Sequence, residues 1–378
     1  MNFEFRIPSE GIIFGPGKLS TAGILVKQFG KRCFIVCGKH SVKSGLAERL
    51  QALIVEQDVK CDIYDKVTPN PTVEIIDEGG CLARAGKCDF IVGLGGGSSI
   101  DTAKGIAVAA THEGSIWKYA MDGALITDKT LPVVAINTTS GTGSHCTCFS
   151  VISNNATHQK PGMGSPFIIP SLSIVDPELM LSVPPDMTLA TGFDAFAHAV
   201  EAYTSRAASP VSDIFAEKAI SLIVENLSEV YRNPANLEAR CGMALADTYS
   251  GIAINHAIVS LGHALAHVIS GHFPEIAHGD ALYSIYGEVL NFNSKAMPEK
   301  HRRIAEMIDN GNKDIVRAFQ NFFEAFTFDN ALKKKNPGKK KIDELAKDTY
   351  TYMKPVTQLN PVENGIDDAI GILENSLR

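Results

Sequence analysis

The stretch Asp89–Lys104, DFIVGLGGGSSIDTAK, decides how the rest of the chain is read. Its first six residues, Asp89–Leu94, form an apolar run of the length and type of a buried strand. Gly95, Gly96 and Gly97 follow at once, then Ser98 and Ser99, and helical spacing resumes over Thr102–Ala110. A strand that empties through glycines into a helix offers unpaired backbone N–H groups and the positive end of a helix dipole, and together these bind phosphate. The loop is neither the GxGxxG fingerprint nor a P-loop, because no GK[ST] follows at the required gap. Asp101 is read as a helix cap or a further ligand contact.

On both sides of this stretch, strand-like and helix-like segments alternate. Cys33–Cys37 (CFIVC) and Cys61–Val67 read as strands, 43–55 and Val73–Ala85 as helices, and Leu131–Asn137 as another buried strand. That alternation implies βαβ units and a parallel sheet covered on both faces. A second polar loop, Asn137–Ser144 (NTTSGTGS), leaves the carboxyl end of its strand. In an open α/β sheet, that edge is where ligands bind.

Beyond residue 180 the pattern turns helical: Ala190–Thr204, Val211–Val230, Leu237–Ala257 and Ser260–Ser270. Pro184-Pro185 breaks the chain between the two patterns. The expected fold class is α/β plus all-α, with a dinucleotide-binding α/β domain over 1–183 and an all-helical metal-binding domain over 184–378. The basic segment Lys333–Lys341 (KKKNPGKKK) is read as a solvated loop between helices.

Composition narrows the class. With 45% hydrophobic and 20% charged residues, the 378-residue chain can bury a large core. A net charge of −7 argues against a nucleic-acid partner. No apolar run approaches the roughly 20 residues that span a bilayer. The opening MNFEFRIPSEGIIF lacks a basic region followed by an apolar stretch, so no signal peptide is expected. The eight cysteines show no disulfide framework. A cytoplasmic protein with reduced thiols, and no membrane partner, is the expectation.

Four of the 11 histidines crowd into 263–278. In GHALAH, His263 and His267 are four apart, and His278 follows after a loop that holds Pro274. Upstream, Asp194 and His198 are also four apart, in TGFDAFAHAVEAY. Residues at this spacing share one helix face. One carboxylate and several imidazoles from two helices and a loop can close around a divalent cation, and the N/O mix suits Fe²⁺ or Zn²⁺ better than Mg²⁺.

Five motifs in order, GGGSSIDTAK, TTSGTGS, DPELM, TGFDAFAHAVEAY and GHALAH…HGDA, resemble the iron-containing (group III) alcohol dehydrogenase family from about Ile12 through Gly279. The resemblance implies a Rossmann-like N-terminal domain, a helical C-terminal domain and catalysis in the cleft between them. It implies metal ligands at Asp194, His198, His263 and His278, with His267 off the metal as a proton-transfer residue. It implies cofactor contacts at Gly96, Gly97, Ser98, Asp101, Thr138, Thr139, Thr142, Thr147 and Lys160, with Asn70 nearby. The substrate implied is a small primary alcohol or its aldehyde, and the assembly a homodimer or larger homo-oligomer. A zinc polyol dehydrogenase, a dehydroquinate-synthase-like lyase and a non-catalytic nucleotide- or metal-binding protein are the competing readings.

Two departures stand out. His145 replaces the family's usual acidic residue, giving GTGSHCTC, where His145, Cys146 and Cys148 are read as a strand following the loop in preference to a metal group. The His267–His278 interval is one residue longer than the commonest spacing, which leaves His272 as a rival last ligand. Many NAD-preferring relatives carry an Asp after the first βα strand to accept the ribose 2′-OH. Here Gly38 falls in that place, with Lys39 and Ser41 beside it. No carboxylate repels a 2′-phosphate there, so NADP(H) is expected over NAD(H).

Overall fold

The computed structural model describes residues 11–378. The opening MNFEFRIPSE, read above for a signal peptide, lies outside the described residues. Contacts divide the described chain into two compact units. One comprises 11–157 with Pro161–Ser182, and the other His158–Lys160 with Val183–Arg378.

The first unit is built on six parallel strands: β1 (Ile12–Phe14), β2 (Arg32–Gly38), β3 (Lys60–Val67), β4 (Phe90–Gly95), β5 (Val133–Asn137) and, after two short strands, β8 (Leu172–Val175). Their order is β1-β8-β5-β4-β2-β3. Side chains alternate along β2: Cys33, Ile35 and Cys37 enter one apolar core, Phe34 and Val36 the other. Both faces are therefore covered, which is why the strand reads as an unbroken apolar run. The short strands β6 (Phe149–Val151) and β7 (Gly162–Gly164) form a separate antiparallel ribbon.

Strand order reverses between β2 and β4: the chain steps outward from β2 to β3, then returns to β2's other side. That reversal is the switch point at which an open sheet leaves a crevice outside its carboxyl ends. Gly38 ends β2 and Gly95 ends β4, so both candidate loops leave the sheet at this crevice.

The second unit is helical. The helix Pro185–Thr204 is buried on nearly every side, with Phe193 and Phe196 packed edge-to-face among Tyr286 and Phe323. The proline pair starts this helix: Pro184 is the N-cap and Pro185 the first residue, five positions before the expected Ala190. A first-turn residue needs no N–H partner, so proline fits there at no cost. The KKKNPGKKK segment is also more ordered than a loop. Its lysines lie in the helices Ala331–Lys335 and Lys339–Tyr352, leaving only 336–338 between them, because lysine is a good helix former. Among the described residues, no single helix is long and apolar enough to cross a membrane.

Candidate functional site

The two polar loops meet in the α/β unit. Thr138 N–H donates to Gly95 O at 3.0 Å, tying the loop after β5 to the one after β4. The glycines serve this contact: a Cβ on Gly96 would stand 2.7 Å from Thr139 Oγ1, and one on Gly97 would stand 2.5 Å from the Thr142 methyl. The helix Gly97–Ala109 then starts with Gly96 as N-cap and no side chain capping it. Ser99 N–H turns back to Gly96 O at 3.0 Å, which leaves the Gly97 and Ser98 amides for an anion such as a dinucleotide phosphate. Gly38, exposed Lys39 and buried Ser41 follow β2 across the switch point, and Asn70 sits in a left-handed turn with φ 55°.

Two predicted cofactor contacts face inward. Asp101 is buried, accepting from Ser144 Oγ at 2.6 Å and from Val151 N–H at 3.0 Å. Thr147 is buried too, and its carbonyl and hydroxyl oxygens accept from Lys104 at 2.9 and 3.3 Å. Lys104 went unassigned in the sequence, yet it is the centre of the loop. Its fully buried ammonium also donates to Ser144 O and Phe149 O, both at 2.7 Å. Burial pulls its pKa down to about 8, against the opposing charge of Asp101. His145 is wholly buried, with its Nδ1 3.2 Å from Asn137 Nδ2. Burial, then the Lys104 charge, push its pKa down to about 3, so it is neutral. His145, Cys146 and Cys148 are not the strand expected there: the first two lie in a 3₁₀ turn over Ser144–Cys146, Cys148 lies in a bend, and β6 begins only at Phe149, because the loop must first turn its carbonyls onto Lys104.

In the helical unit, three imidazoles surround one carboxylate oxygen. From Asp194 Oδ1, the Nε2 of His263 lies at 3.5 Å and those of His198 and His278 at 3.8 Å each. Metal–ligand bonds of about 2.0–2.2 Å in a tetrahedron put ligand atoms roughly 3.3–3.6 Å apart, so the spacing fits a cation at the centre. Ligand atoms of Asp194, His263 and His278 lie mutually within 4.8 Å. His198 stands just outside that trio, its ring stacked on His263 at 4.4 Å. Among the described residues, seven buried side-chain atoms lack a hydrogen-bond partner, and four of them belong to Asp194, His263 and His278. Two of these, Asp194 Oδ1 and His263 Nε2, face one another at 3.5 Å, and such a pair of costly orphan atoms is what a metal relieves.

Electrostatics differ across the cluster. Burial alone would raise the Asp194 carboxyl, but His198 and His263 hold it below the usual carboxylate range. Burial opposes a proton on His263, yet Glu201 and Asp194 outweigh it and lift its pKa to about 9. His278 is driven well below its ordinary value by burial and then by the Lys160 ammonium. His278 opens the helix His278–Asn293, and a Cβ on Gly279 would stand 2.0 Å from Ala190 O, which explains the glycine after it. His272 ends the preceding helix and pairs with Asp348 at 2.7 Å, so the longer interval does not displace His278 from Asp194.

Glu201 was missed by the sequence reading. It is buried, accepts from Ser260 Oγ at 3.0 Å and His263 N–H at 3.2 Å, and its Oε1 lies 3.1 Å from His263 Nδ1 in charge contact without hydrogen-bond alignment. A carboxylate behind a ligating imidazole fixes its orientation and raises its basicity. The signal was available: Glu201 is seven residues after Asp194, on the face shared with His198. His267 is buried and points its Nδ1 at Lys160 O, 2.9 Å away. A carbonyl only accepts, so Nδ1 carries the hydrogen and Nε2 is the bare nitrogen. Burial and the Lys160 charge push His267 to about 3, which keeps it neutral. Lys160 itself groups with the helical unit.

Known proteins agree with this assembly. Residues 9–177 match the iron-containing alcohol dehydrogenase family, and residues 188–377 match the C-terminal domain of the Fe-containing alcohol dehydrogenase family. Alcohol dehydrogenase 4 of Schizosaccharomyces pombe is 40% identical over 305 residues, 80% of this chain and 71% of that protein. The NAD-dependent methanol dehydrogenase of Bacillus methanolicus is 34% identical over 99% of this chain and its own full length. Among solved structures, an archaeal halo-thermophilic alcohol dehydrogenase from a Red Sea brine pool superposes with TM-score 0.94 at 36% identity, covering both chains completely.

Proposed function

This chain belongs to the iron-containing alcohol dehydrogenase family, and from that premise we propose that it catalyses reversible hydride transfer between NADP(H) and a small primary alcohol or its aldehyde. The observation that carries the reading is the facing pair of unpartnered buried atoms Asp194 Oδ1 and His263 Nε2, with ligand atoms of His278 and His198 beside them. These residues fit Fe²⁺ or Zn²⁺, which supplies Lewis-acid polarisation of the substrate oxygen, while the nicotinamide supplies or accepts the hydride.

The chain's own groups do the rest. Asp194 gives the one negative charge among the proposed ligands, and Glu201 orients His263 from behind. His267, held neutral with its Nε2 bare, exchanges the proton that accompanies the hydride. Gly96, Gly97 and Ser98 hold the pyrophosphate at the uncapped helix start, with Thr138, Thr139 and Thr142 on the adjoining loop. Gly38 leaves no carboxylate against a 2′-phosphate, and Lys39 and Ser41 hold it. A homodimer or larger homo-oligomer is the proposed assembly, and light scattering reads it directly.

The test is a metal-quantified assay of protein reconstituted with Fe²⁺ and with Zn²⁺ against short aldehydes, short alcohols and glycerol. Activity on short aldehydes that depends on the metal is expected, with NADPH preferred by roughly tenfold in kcat/KM, equivalent to about 1.4 kcal/mol. Equal kcat/KM for NADH and NADPH would sink the charge argument for the 2′-phosphate. Glycerol as the best substrate would favour the polyol reading.

A further inference from the structure

The residues His158–Lys160 group with the helical unit, apart from the chain on either side of them. They lie against the end of the helix Leu261–His272: a Cβ on Gly271 would stand 2.3 Å from His158 O. The His158 ring stacks on His272, with centroids 5.6 Å apart and planes at 25°. His272 is fixed at both nitrogens by the helix Lys339–Tyr352, Nε2 lying 2.7 Å from Asp348 Oδ2 and Nδ1 3.3 Å from Lys341 Nζ. His158 holds a left-handed φ of 56°, a conformation that persists where surroundings enforce it. Two residues on, the Lys160 carbonyl accepts the His267 Nδ1–H.

We propose that His272 and Asp348 are positioning residues that clamp the 158–160 strap, so that the Lys160 carbonyl locks His267 in the tautomer whose Nε2 is free to take a proton. The proposal deepens the proton-exchange role given to His267 and rests on it. His272 does not touch the metal cluster; its whole contribution passes through the strap. Gly271 belongs to the same device, because only a residue without a side chain lets the strap backbone lie this close to the helix.

The experiment uses full-length, zinc-loaded protein, which is diamagnetic, labelled with ¹⁵N-histidine. Each variant is measured for kcat, nucleotide KM, zinc content, melting temperature and the His267 nitrogen shifts, assigned by difference with His267→Asn. The wild type should show a protonated Nδ1 and an unprotonated Nε2. A displaced catalytic group costs on the order of 10²-fold, so Gly271→Ala should lose about that much in kcat, with zinc content and nucleotide KM unchanged and the tautomer mixed. Asp348→Ala should lose about tenfold, and Asp348→Asn, which keeps an acceptor, should recover most of it. If Gly271→Ala fails to fold, the half-exposed Asp348 variants decide. Folded variants with wild-type kcat and an unchanged His267 tautomer would overturn the clamp. Full kcat in His267→Asn would instead remove the proton role, while a tautomer shift in Asp348→Ala would still establish the clamp.

Discussion

Two buried polar clusters sit in the two units, and they differ in how their atoms are satisfied. Around Lys104, one ammonium meets three backbone carbonyls and two hydroxyls, and both Asp101 carboxylate oxygens accept hydrogen bonds. Around Asp194, the same kinds of atom converge without hydrogen bonds to one another. The first arrangement is complete in itself and holds a loop in place. The second is incomplete and stable only at a cost that a cation removes. Buried charge alone thus does not mark a site; what marks it is buried polar atoms aimed at a common point with nothing between them.

The comparison breaks most visibly at Asp194. Asp194→Ala should remove the metal, read by metal analysis, and cost several kcal/mol of transition-state stabilisation, about 10³-fold in kcat/KM. An active, metal-free variant would contradict the site.

Lys104 should behave in the opposite way. Lys104→Met keeps the length but leaves the carbonyls of Ser144, Thr147 and Phe149 unpartnered, destabilising the fold by about 3 kcal/mol in denaturant titrations. Metal content should remain at the wild-type level while nucleotide KM rises. Unchanged stability would mean that the loop does not depend on its central cation.

Glu201 sharpens the contrast from within the helical unit, since it is a satisfied carboxylate that touches an unsatisfied imidazole. Glu201→Gln preserves shape and removes charge, and should weaken metal affinity about 10–100-fold in a chelator competition. An unchanged affinity would leave Glu201 as a cap for Ser260 alone.

The helix and strand pattern was legible because the periodicities were clean: Val73–Ala85 and Leu237–Ala257 appear with the ends that spacing predicts. The Asp194–His198 pair was legible because i,i+4 spacing declares a shared face, whereas His263 and His278 were picked from the other histidines only by the family resemblance. Lys104 was not legible, because it acts through partners distant in the chain, Ser144 to Phe149; Glu201 shares the face of His198, but its partners Ser260 and His263 are as distant. In the sequence the glycines of the first loop read as part of a phosphate-binding junction. Gly96 and Gly97 equally make room for Thr139 and Thr142, a loop-on-loop contact that only the fold reveals. His272 was a rival ligand on spacing alone, and its direction toward Asp348 depends on a helix some seventy residues later.

The smallest effect tests whether the satisfied cluster is satisfied at every pH. His145 is neutral and fully buried, with a folded pKa near 3 against an ordinary value of 6.5. Between those values the unfolded chain binds a proton that the folded chain refuses, so stability is fully present above about pH 6.5 and falls as pH drops toward 3. At pH 5 the loss is about 2 kcal/mol, from about 1.5 pKa units at 1.36 kcal/mol each. His145→Asn removes the titrating ring from beside Asn137 and the Lys104 ammonium. Denaturant titrations at pH 7 and pH 5 should therefore show a smaller drop in the variant than in the wild type. Equal drops would mean that the Lys104 network opens to admit a proton, and that it is not the closed cluster that its hydrogen bonds describe.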